Sequence, residues 1–359
     1  MALASGTNWL QSLIVRMSFG GNKLSQAFCG NTLFLCEMGY AMAYKFDITV
    51  PSPTSRIDRL VLDSRHQSTE NTVPNEEKIA IVTGANSGLG FQTAKALGRA
   101  GFHTILACRS LERGQEAVEL LERQTGLEGR FEVMELDLAS IASVKAFVQK
   151  FKERACPLDI LVCNGGIMMC PLAKSADDIE LQFATNHVGH FVLTTGLLDE
   201  LKQAADGARV VVMSSMGAFI VPTLDYKVIE DESAYDPTAN YSMSKLANMV
   251  FTTALARKLE DTRVTVNVVH PGTISTDIAR YVSGTGKAAR TINDILFMTP
   301  AAGSVAPIYA ALAPELEGKS GIYFNRCVEM DIHPVASNIE EQDRLWEYTE
   351  ELVAKKIKE

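Results

Sequence analysis

The chain has 359 residues, 47% of them hydrophobic and 21% charged, with a formal net charge of −9. That is ordinary globular composition with material for a sizeable core, and the length fits one large domain with an extension, or two domains. The acidic balance argues against non-specific nucleic-acid binding, which needs a basic face. The seven cysteines (Cys29, Cys36, Cys108, Cys156, Cys163, Cys170, Cys327) are scattered without a CxxC pair, so neither a disulfide framework nor a zinc site is expected, and a reducing, intracellular compartment fits better.

Residues 1–75 read as an N-terminal extension. The first acidic residue is Glu37, with Arg16 and Lys23 before it, and Trp9, Leu13 and Met17 recur at helical spacing beside Leu10 and Ile14. A short, amphipathic, acid-free start resembles an organellar presequence of mitochondrial or plastid type; the alternative is an unstructured extension in a cytoplasmic protein. Its uncharged runs, 1–15 and 24–36, fall short of the roughly 18 to 20 apolar residues that span a bilayer. No transmembrane span is therefore expected, while peripheral membrane contact through the Trp9 segment stays open. The stretch 51–77 is polar, holds three prolines and reads as a linker.

From Lys78 the pattern changes. Short apolar runs at 79–83, 104–107, 131–136, 160–163, 210–213 and 264–269 alternate with helical spacing at 91–100, 111–124 and 144–153. Alternating strand and helix predict βαβ units, and hence an α/β fold: a doubly wound parallel sheet, Rossmann-type, with helices on both faces.

The first strand runs into Thr83-Gly84-Ala85-Asn86-Ser87-Gly88-Leu89-Gly90. A glycine-rich turn between strand and helix lets the backbone approach a pyrophosphate, to which the helix N-terminus offers N–H donors. Folds that bind NAD place an acid at the end of the next strand for the ribose 2′-hydroxyl. Here that strand ends in Cys108-Arg109. The missing acid and the guanidinium agree on a 2′-phosphate, and so on NADP (NADPH/NADP+), over a merely solvated arginine. Further on, Tyr241 and Lys245 are spaced i, i+4, which puts both on one helical face. A nearby ammonium and an oxidised nicotinamide would favour the phenolate, so Tyr241 is expected to exchange a proton near neutral pH. The strand ending in Ser214-Ser215 brings hydroxyls to the carboxyl edge of the sheet, where ligands bind in this architecture.

With these motifs the chain, from about Lys78 to Lys358, resembles the short-chain dehydrogenase/reductase family. The motifs TGANSGLG, Asp137-Leu138, Asn164-Gly165-Gly166, Asn186 in NHVGHF, Ser215, Tyr241/Lys245 and Pro271-Gly272 occur in order. The run 167–171, Lys174-Ser-Ala-Asp177, Tyr241-Ser-Met-Ser-Lys-Leu-Ala-Asn248, Val269-His-Pro-Gly-Thr273 and the tail around Gly321 and Trp346 resemble its retinol dehydrogenase branch. The resemblance implies one dinucleotide-binding catalytic domain over 76–359. Tyr241 would be the acid/base, and Lys245 would lower its pKa and hold the nicotinamide ribose. Ser215 would bind the substrate oxygen, and Asn186 would seat a relay water. The cofactor would be held by Gly84, Asn86, Ser87, Gly88, Leu89, Gly90 and Arg109, with Asp137 and Leu138 at the adenine, Asn164 and Gly166 along the wall, and Pro271, Gly272 and Thr273 beside the nicotinamide. Gly165 stands where the family usually has alanine, and a missing methyl should loosen packing slightly.

Other signals are weaker. His187 and His190 lack metal-spaced partners and read as packing residues, and no metal site is expected. The Asn240-Tyr241-Ser242 sequon overlaps the proposed acid/base, which disfavours glycosylation. Cys163 and Cys170 read as buried thiols. A non-catalytic redox sensor or scaffold is the alternative function, yet the full set Asn186, Ser215, Tyr241 and Lys245 favours an enzyme. The expected partner is a lipophilic alcohol or carbonyl (retinoid, steroid or fatty aldehyde), with 216–240 and 274–299 as pocket segments and homo-oligomerisation open. The acids at 225, 230, 231, 232 and 236 outnumber Lys227, which disfavours small keto acids.

Overall fold

The computed structural model describes residues 52–71, 77–274 and 298–358. Eight strands form one sheet in the order β3-β2-β1-β4-β5-β6-β7-β8. They are β1 Ile79–Thr83, β2 His103–Cys108, β3 Phe131–Glu135, β4 Ile160–Cys163, β5 Arg209–Met213, β6 Thr265–His270, β7 Tyr323–Asn325 and β8 Val328–Met330. β1 to β7 pair in parallel, while β8 returns antiparallel along β7. Every residue of β1, β4 and β6 is buried, which is why these strands read as continuous apolar runs.

Alternation sorts the strands into two cores. Ile79, Ile81, Ile105, Leu161, Val210, Val212, Val266 and Val268 face one side; Ala80, Val82, Leu106, Val162, Val211 and Val269 face the other. The second face is covered by α1 (Pro53–Asn71), α2 (Gly88–Ala100), α3 (Leu111–Thr125) and α7 (Pro300–Leu312). The first is covered by α4 (Ile141–Lys152), α5 (Gly189–Gly196), α6 (Pro237–Lys258) and α8 (Ile339–Lys358). α6 is sandwiched between the sheet and α8, so it is buried nearly all round. On its outer side Trp346 of α8 meets Phe191 and Phe251, with ring centroids at 4.9 Å and 6.0 Å.

The stretch read as a linker is mostly helix. In α1, Ile57 and Val61 are buried in the second core with Leu60 beside them, and Arg99 pairs with Asp58 at 2.7 Å. The apolar stripe is short, only Ile57, Leu60 and Val61 in a polar sequence, so composition alone read it as loop. The Trp9 segment lies outside the described residues, and among those described no helix is long and apolar enough to cross a membrane.

β1 is the switch point. It pairs with β2 on one side and β4 on the other, so the turns after β1 and β4 open a crevice at the carboxyl edge, where this architecture binds ligands.

Candidate active site

The turn after β1 can be built only with glycine at three places. Gly84 and Gly88 have φ of 65° and 59°, the left-handed region that L side chains avoid. A Cβ on Gly90 would lie 2.5 Å from the Gly84 carbonyl oxygen and 2.6 Å from Asn164 Nδ2. Beneath the turn, burial pushes the Cys108 thiol up to about 11, opposed by the nearby Ala85 and Asn86 amides. Ser87 precedes α2 in an extended conformation and its hydroxyl makes no capping bond. The first-turn N–H groups of α2 therefore face the crevice with the exposed Ser87 beside them, a cradle that fits a phosphate. Leu89 packs with Ile274, Met298 and Ala302, which seats the loop after β6 on the start of α2.

The other expected cofactor residues follow the carboxyl ends in turn. Arg109, exposed, follows β2. Asp137 and Leu138 follow β3, and the Asp137 carboxylate accepts from the Ala139 amide at 3.0 Å. Asn164 follows β4 and donates to the Thr83 carbonyl at 2.8 Å. Pro271, Gly272 and Thr273 follow β6; Gly272 has φ of 92°, and the Thr273 carbonyl accepts from Met298 N at 2.9 Å. Residues 275–297, most of the second expected pocket segment, lie outside the described residues.

Gly165 corrects an expectation. A Cβ there would come within 2.7 Å of Leu138 Cδ1, so the space of the missing methyl is filled by Leu138 rather than left loose.

The four expected catalytic residues converge. A Cβ on Gly166 would sit 2.9 Å from Asn186 Oδ1 and 3.8 Å from Lys245 Nζ, and one on Gly217 would sit 3.4 Å from both Ser215 Oγ and Tyr241 Cε1. Ser215 thus stands beside the Tyr241 ring. Burial pushes the Tyr241 phenol up, opposed by the nearby Ser215 hydroxyl, and pulls the Lys245 ammonium down to about 8. This differs from the expected lowering of Tyr241 by Lys245. The ammonium donates to the Met213 carbonyl at 3.2 Å, and the phenol sits in surroundings where desolvation outweighs its attraction.

Asn186 lies in a π-helical turn, Ala184–Val188, a distortion that frees main-chain groups and is frequent at functional sites. Its side chain brackets Ile167, accepting from the amide at 2.9 Å and donating to the carbonyl at 3.0 Å. Its main-chain oxygen accepts from His190 Nδ1 and from Asn248 Nδ2, both at 3.0 Å. Any relay water at that oxygen would share it with two side chains.

Sequence reasoning gave no role to Thr83, Asn248 and Gln182, and read His190 only as a packing residue. With Nδ1–H given to Asn186, His190 Nε2 is left to accept from the Thr83 hydroxyl at 2.9 Å, and that hydroxyl accepts from Gly165 N at 2.8 Å. Burial holds His190 down to about 4, so it is neutral, and through Thr83 it ties the end of β1 to the turn after β4. His187 is equally buried and bonds Asn248 and Thr349. The histidines thus serve packing, and their only sequence signal was the NHVGHF motif. Asn240 is fully buried, out of reach of a glycosyltransferase; Cys163 and Cys170 are buried as well.

A cavity of about 750 Å³ opens at the other end of the sheet, beside Lys78, Asp159, Arg209 and Thr265. Several of its charged groups are already engaged: Lys78 with Asp206 at 2.8 Å, Arg209 with the Ala311 and Ala313 carbonyls, Asp159 with the Ile79 amide. The chemistry-bearing groups all lie at the opposite, carboxyl edge.

The short chain dehydrogenase family model matches residues 78–285. Retinol dehydrogenase 14 of Mus musculus is 40% identical over 288 residues, 77% of this chain and 86% of the mouse protein. Polyprenol dehydrogenase of Homo sapiens is 40% identical over 280 residues, 76% and 84% of the two chains. A solved structure of an uncharacterized protein from Mycobacterium paratuberculosis superposes with a TM-score of 0.61 at 31% identity, covering 77% of this chain and 93% of that one. Together with a glycine cradle, Ser215 beside the buried Tyr241 and a lysine one helical turn on, these likenesses show that the chain belongs to the short-chain dehydrogenase/reductase family, resembling its retinol dehydrogenase branch, and is an oxidoreductase of CH–OH and C=O groups.

Proposed function

We propose that the protein is an NADP-dependent oxidoreductase of lipophilic alcohols and carbonyls with Tyr241 as its acid/base. The observation that carries this reading is the juxtaposition of Ser215 and Tyr241 around Gly217, with Lys245 on the same helix, at the edge that also carries the glycine cradle. When bound, the nicotinamide supplies or accepts the hydride. The chain does the rest. Ser215 orients the substrate oxygen, and Tyr241 gives that oxygen its proton in reduction or takes it in oxidation. Lys245 holds the ribose and adds positive charge beside the phenol. Because burial alone raises Tyr241, its descent toward neutral pH depends on the charge of an oxidised nicotinamide joining that of Lys245.

Arg109 supports NADP over NAD. It ends β2 where an acid would otherwise meet a ribose hydroxyl, and among the described residues no hydrogen bond or ion pair engages its guanidinium. The lipophilic substrate class is supported by the two relatives named for retinol and polyprenol, both isoprenoid alcohols, and by the acidic character of 216–240, which suits no anion. The composition of residues 1–36 supports an organellar presequence. The test is a panel of polyene aldehydes, steroid ketones and long-chain fatty aldehydes, followed by NADPH absorbance. Turnover of small polar keto acids alone would overturn the substrate class, and equal use of NADH would overturn the cofactor.

A further inference from the structure

Gln182 is fully buried, and its amide is spent on three main-chain or phenolic partners rather than on its own helix. Oε1 accepts from the Met169 amide at 2.7 Å. Nε2 donates to the Tyr235 phenol oxygen at 3.2 Å and to the Pro237 carbonyl at 3.1 Å. The Tyr235 hydroxyl in turn donates to the Cys170 carbonyl. Four residues further on, Asn186 brackets Ile167. Two buried amides one helical turn apart thus hold the loop after β4 at alternate residues, 167 and 169, with Tyr235 closing on 170. Met169 takes φ of 47°, a left-handed conformation that a non-glycine residue keeps only when its surroundings enforce it.

What the bracket joins matters more than its strength. The loop starts at Gly166, beside Asn186 and Lys245. Pro237 is the first residue of α6, the helix that carries Tyr241 and Lys245, and Asp236 caps it. Tyr235 ends the 216–235 segment that lies between Ser215 and that helix. One side chain therefore ties the cofactor-side loop, the substrate-side segment and the start of the catalytic helix together.

We propose that Gln182 is a positioning residue for substrate selection: it fixes the spacing of the loop 166–170 and the segment 216–235, so that a bulky lipophilic carbonyl is presented to Tyr241. This rests on the acid/base reading of Tyr241. Gln182 acts through Met169, Tyr235 and Pro237 and touches no reacting atom. Its loss should move substrate KM and kcat/KM while cofactor affinity stays in place.

The decisive variant is Gln182→Glu in the full-length protein. An ionised carboxylate can still accept from Met169 but cannot donate to Pro237 or Tyr235; a protonated one can donate again. Glu180, Cys170 and Tyr235 are the titratable groups nearby, and burial already raises Glu180 and Cys170, so the new carboxyl should also titrate high. The expected result is kcat/KM for a long-chain aldehyde at least ten-fold below wild type at pH 8, recovering several-fold relative to wild type at pH 6, with NADPH affinity within two-fold throughout. Tyr235→Phe, at a half-buried site, should raise KM in the same direction without the pH recovery, and Gln182→Ala with Tyr235→Phe should be no worse than Gln182→Ala alone. Hydrogen exchange at the Met169 amide should quicken at least ten-fold in Gln182→Ala while β1 amides are unchanged. A pH-independent loss, parallel loss of NADPH binding, or an unaltered enzyme would overturn the proposal. If Gln182→Glu fails to fold, Tyr235→Phe decides on KM. A wild-type protein inactive on every carbonyl would sink the functional reading instead, and unchanged Met169 exchange in Gln182→Ala would then separately sink the bracket.

Discussion

The Lys245 ammonium stands 5.8 Å from the centroid of the Tyr241 ring, one helical turn along α6 and fully buried. It is close enough to tune the phenol, yet its hydrogen bond goes to Met213. Tyr241→Phe keeps the ring and its packing and removes only the hydroxyl proposed to carry the proton. Turnover should fall by about 10² to 10⁴-fold, the usual contribution of general acid–base catalysis, with little change in cofactor affinity. Lys245→Ala should lower both. The double variant should be no worse in turnover than the poorer single one, since both act on one proton transfer. Steady-state kinetics with a cofactor titration for each variant checks this, and near-native reduction by Tyr241→Phe would refute the assignment.

The same lysine makes a stability prediction. Burial lowers its folded-state pKa from 10.5 to about 8. Below about 8 both folded and unfolded chains carry the proton, so this group adds no slope. Between about 8 and 10.5 the unfolded chain binds more protons than the native one, so the group's contribution to stability rises with pH across that window. The scale is roughly 1.4 kcal/mol per pKa unit. Lys245→Met deletes the group, so the difference in stability, variant minus wild type, should shrink from pH 7.5 to pH 9.5 in urea unfolding of the cofactor-free protein. A constant difference would mean that the ammonium is not desolvated as its burial implies.

Arg109→Ala should weaken NADPH binding by about 1.5 to 3 kcal/mol, the range for hydrogen bonds to charged groups, and leave NADH nearly unchanged. Isothermal titration with both cofactors decides it; equal losses would place the guanidinium away from the 2′-phosphate.

Two glycines that look alike in sequence should part company. Gly90→Ala drives a Cβ into the Gly84 carbonyl at 2.5 Å, backbone against backbone, so the turn must open and NADPH affinity should drop at least ten-fold. Gly165→Ala meets the end of a flexible Leu138 side chain at 2.7 Å, which can rotate, so affinity should stay within a few-fold. Fluorescence titration of the two variants separates the cases.

What could be read from sequence followed the physics of burial. β1, β4 and β6 are buried on both faces and announced themselves as apolar runs. The cradle did so through glycines that its geometry demands. β7 and β8 are three residues each, too short for any periodicity. Gln182 and Asn248 are polar residues in helices, which sequence alone would put on the surface; only the fold shows them serving main-chain atoms on neighbouring elements. The charge beside Tyr241 was legible as Lys245, but the desolvation that opposes it comes from burial, which only the fold shows.

The last prediction concerns where the folded body begins. Polarity and prolines placed the boundary near residue 75, making everything before it dispensable. α1 argues for an earlier boundary: Ile57 and Val61 are 8% and 4% exposed and pack with Leu60 in the core shared by α2 and α7. Burying an aliphatic side chain of this size contributes about 1.5 to 3 kcal/mol, so stripping α1 should cost several kcal/mol of a stability that is typically about 5 to 15 kcal/mol. It would also expose an apolar strip over α2, the helix whose first turn forms the cradle. A chain starting at residue 52 should match the full-length protein in urea midpoint and NADPH affinity. One starting at residue 77 should unfold at clearly lower urea and bind NADPH more weakly. Ile57→Asp with Val61→Asp in the full-length protein should reproduce the defect of the shorter chain, which separates loss of packing from loss of length. Equal stability of the chains starting at 52 and 77 would return the boundary to residue 75 and leave α1 a decoration on the surface.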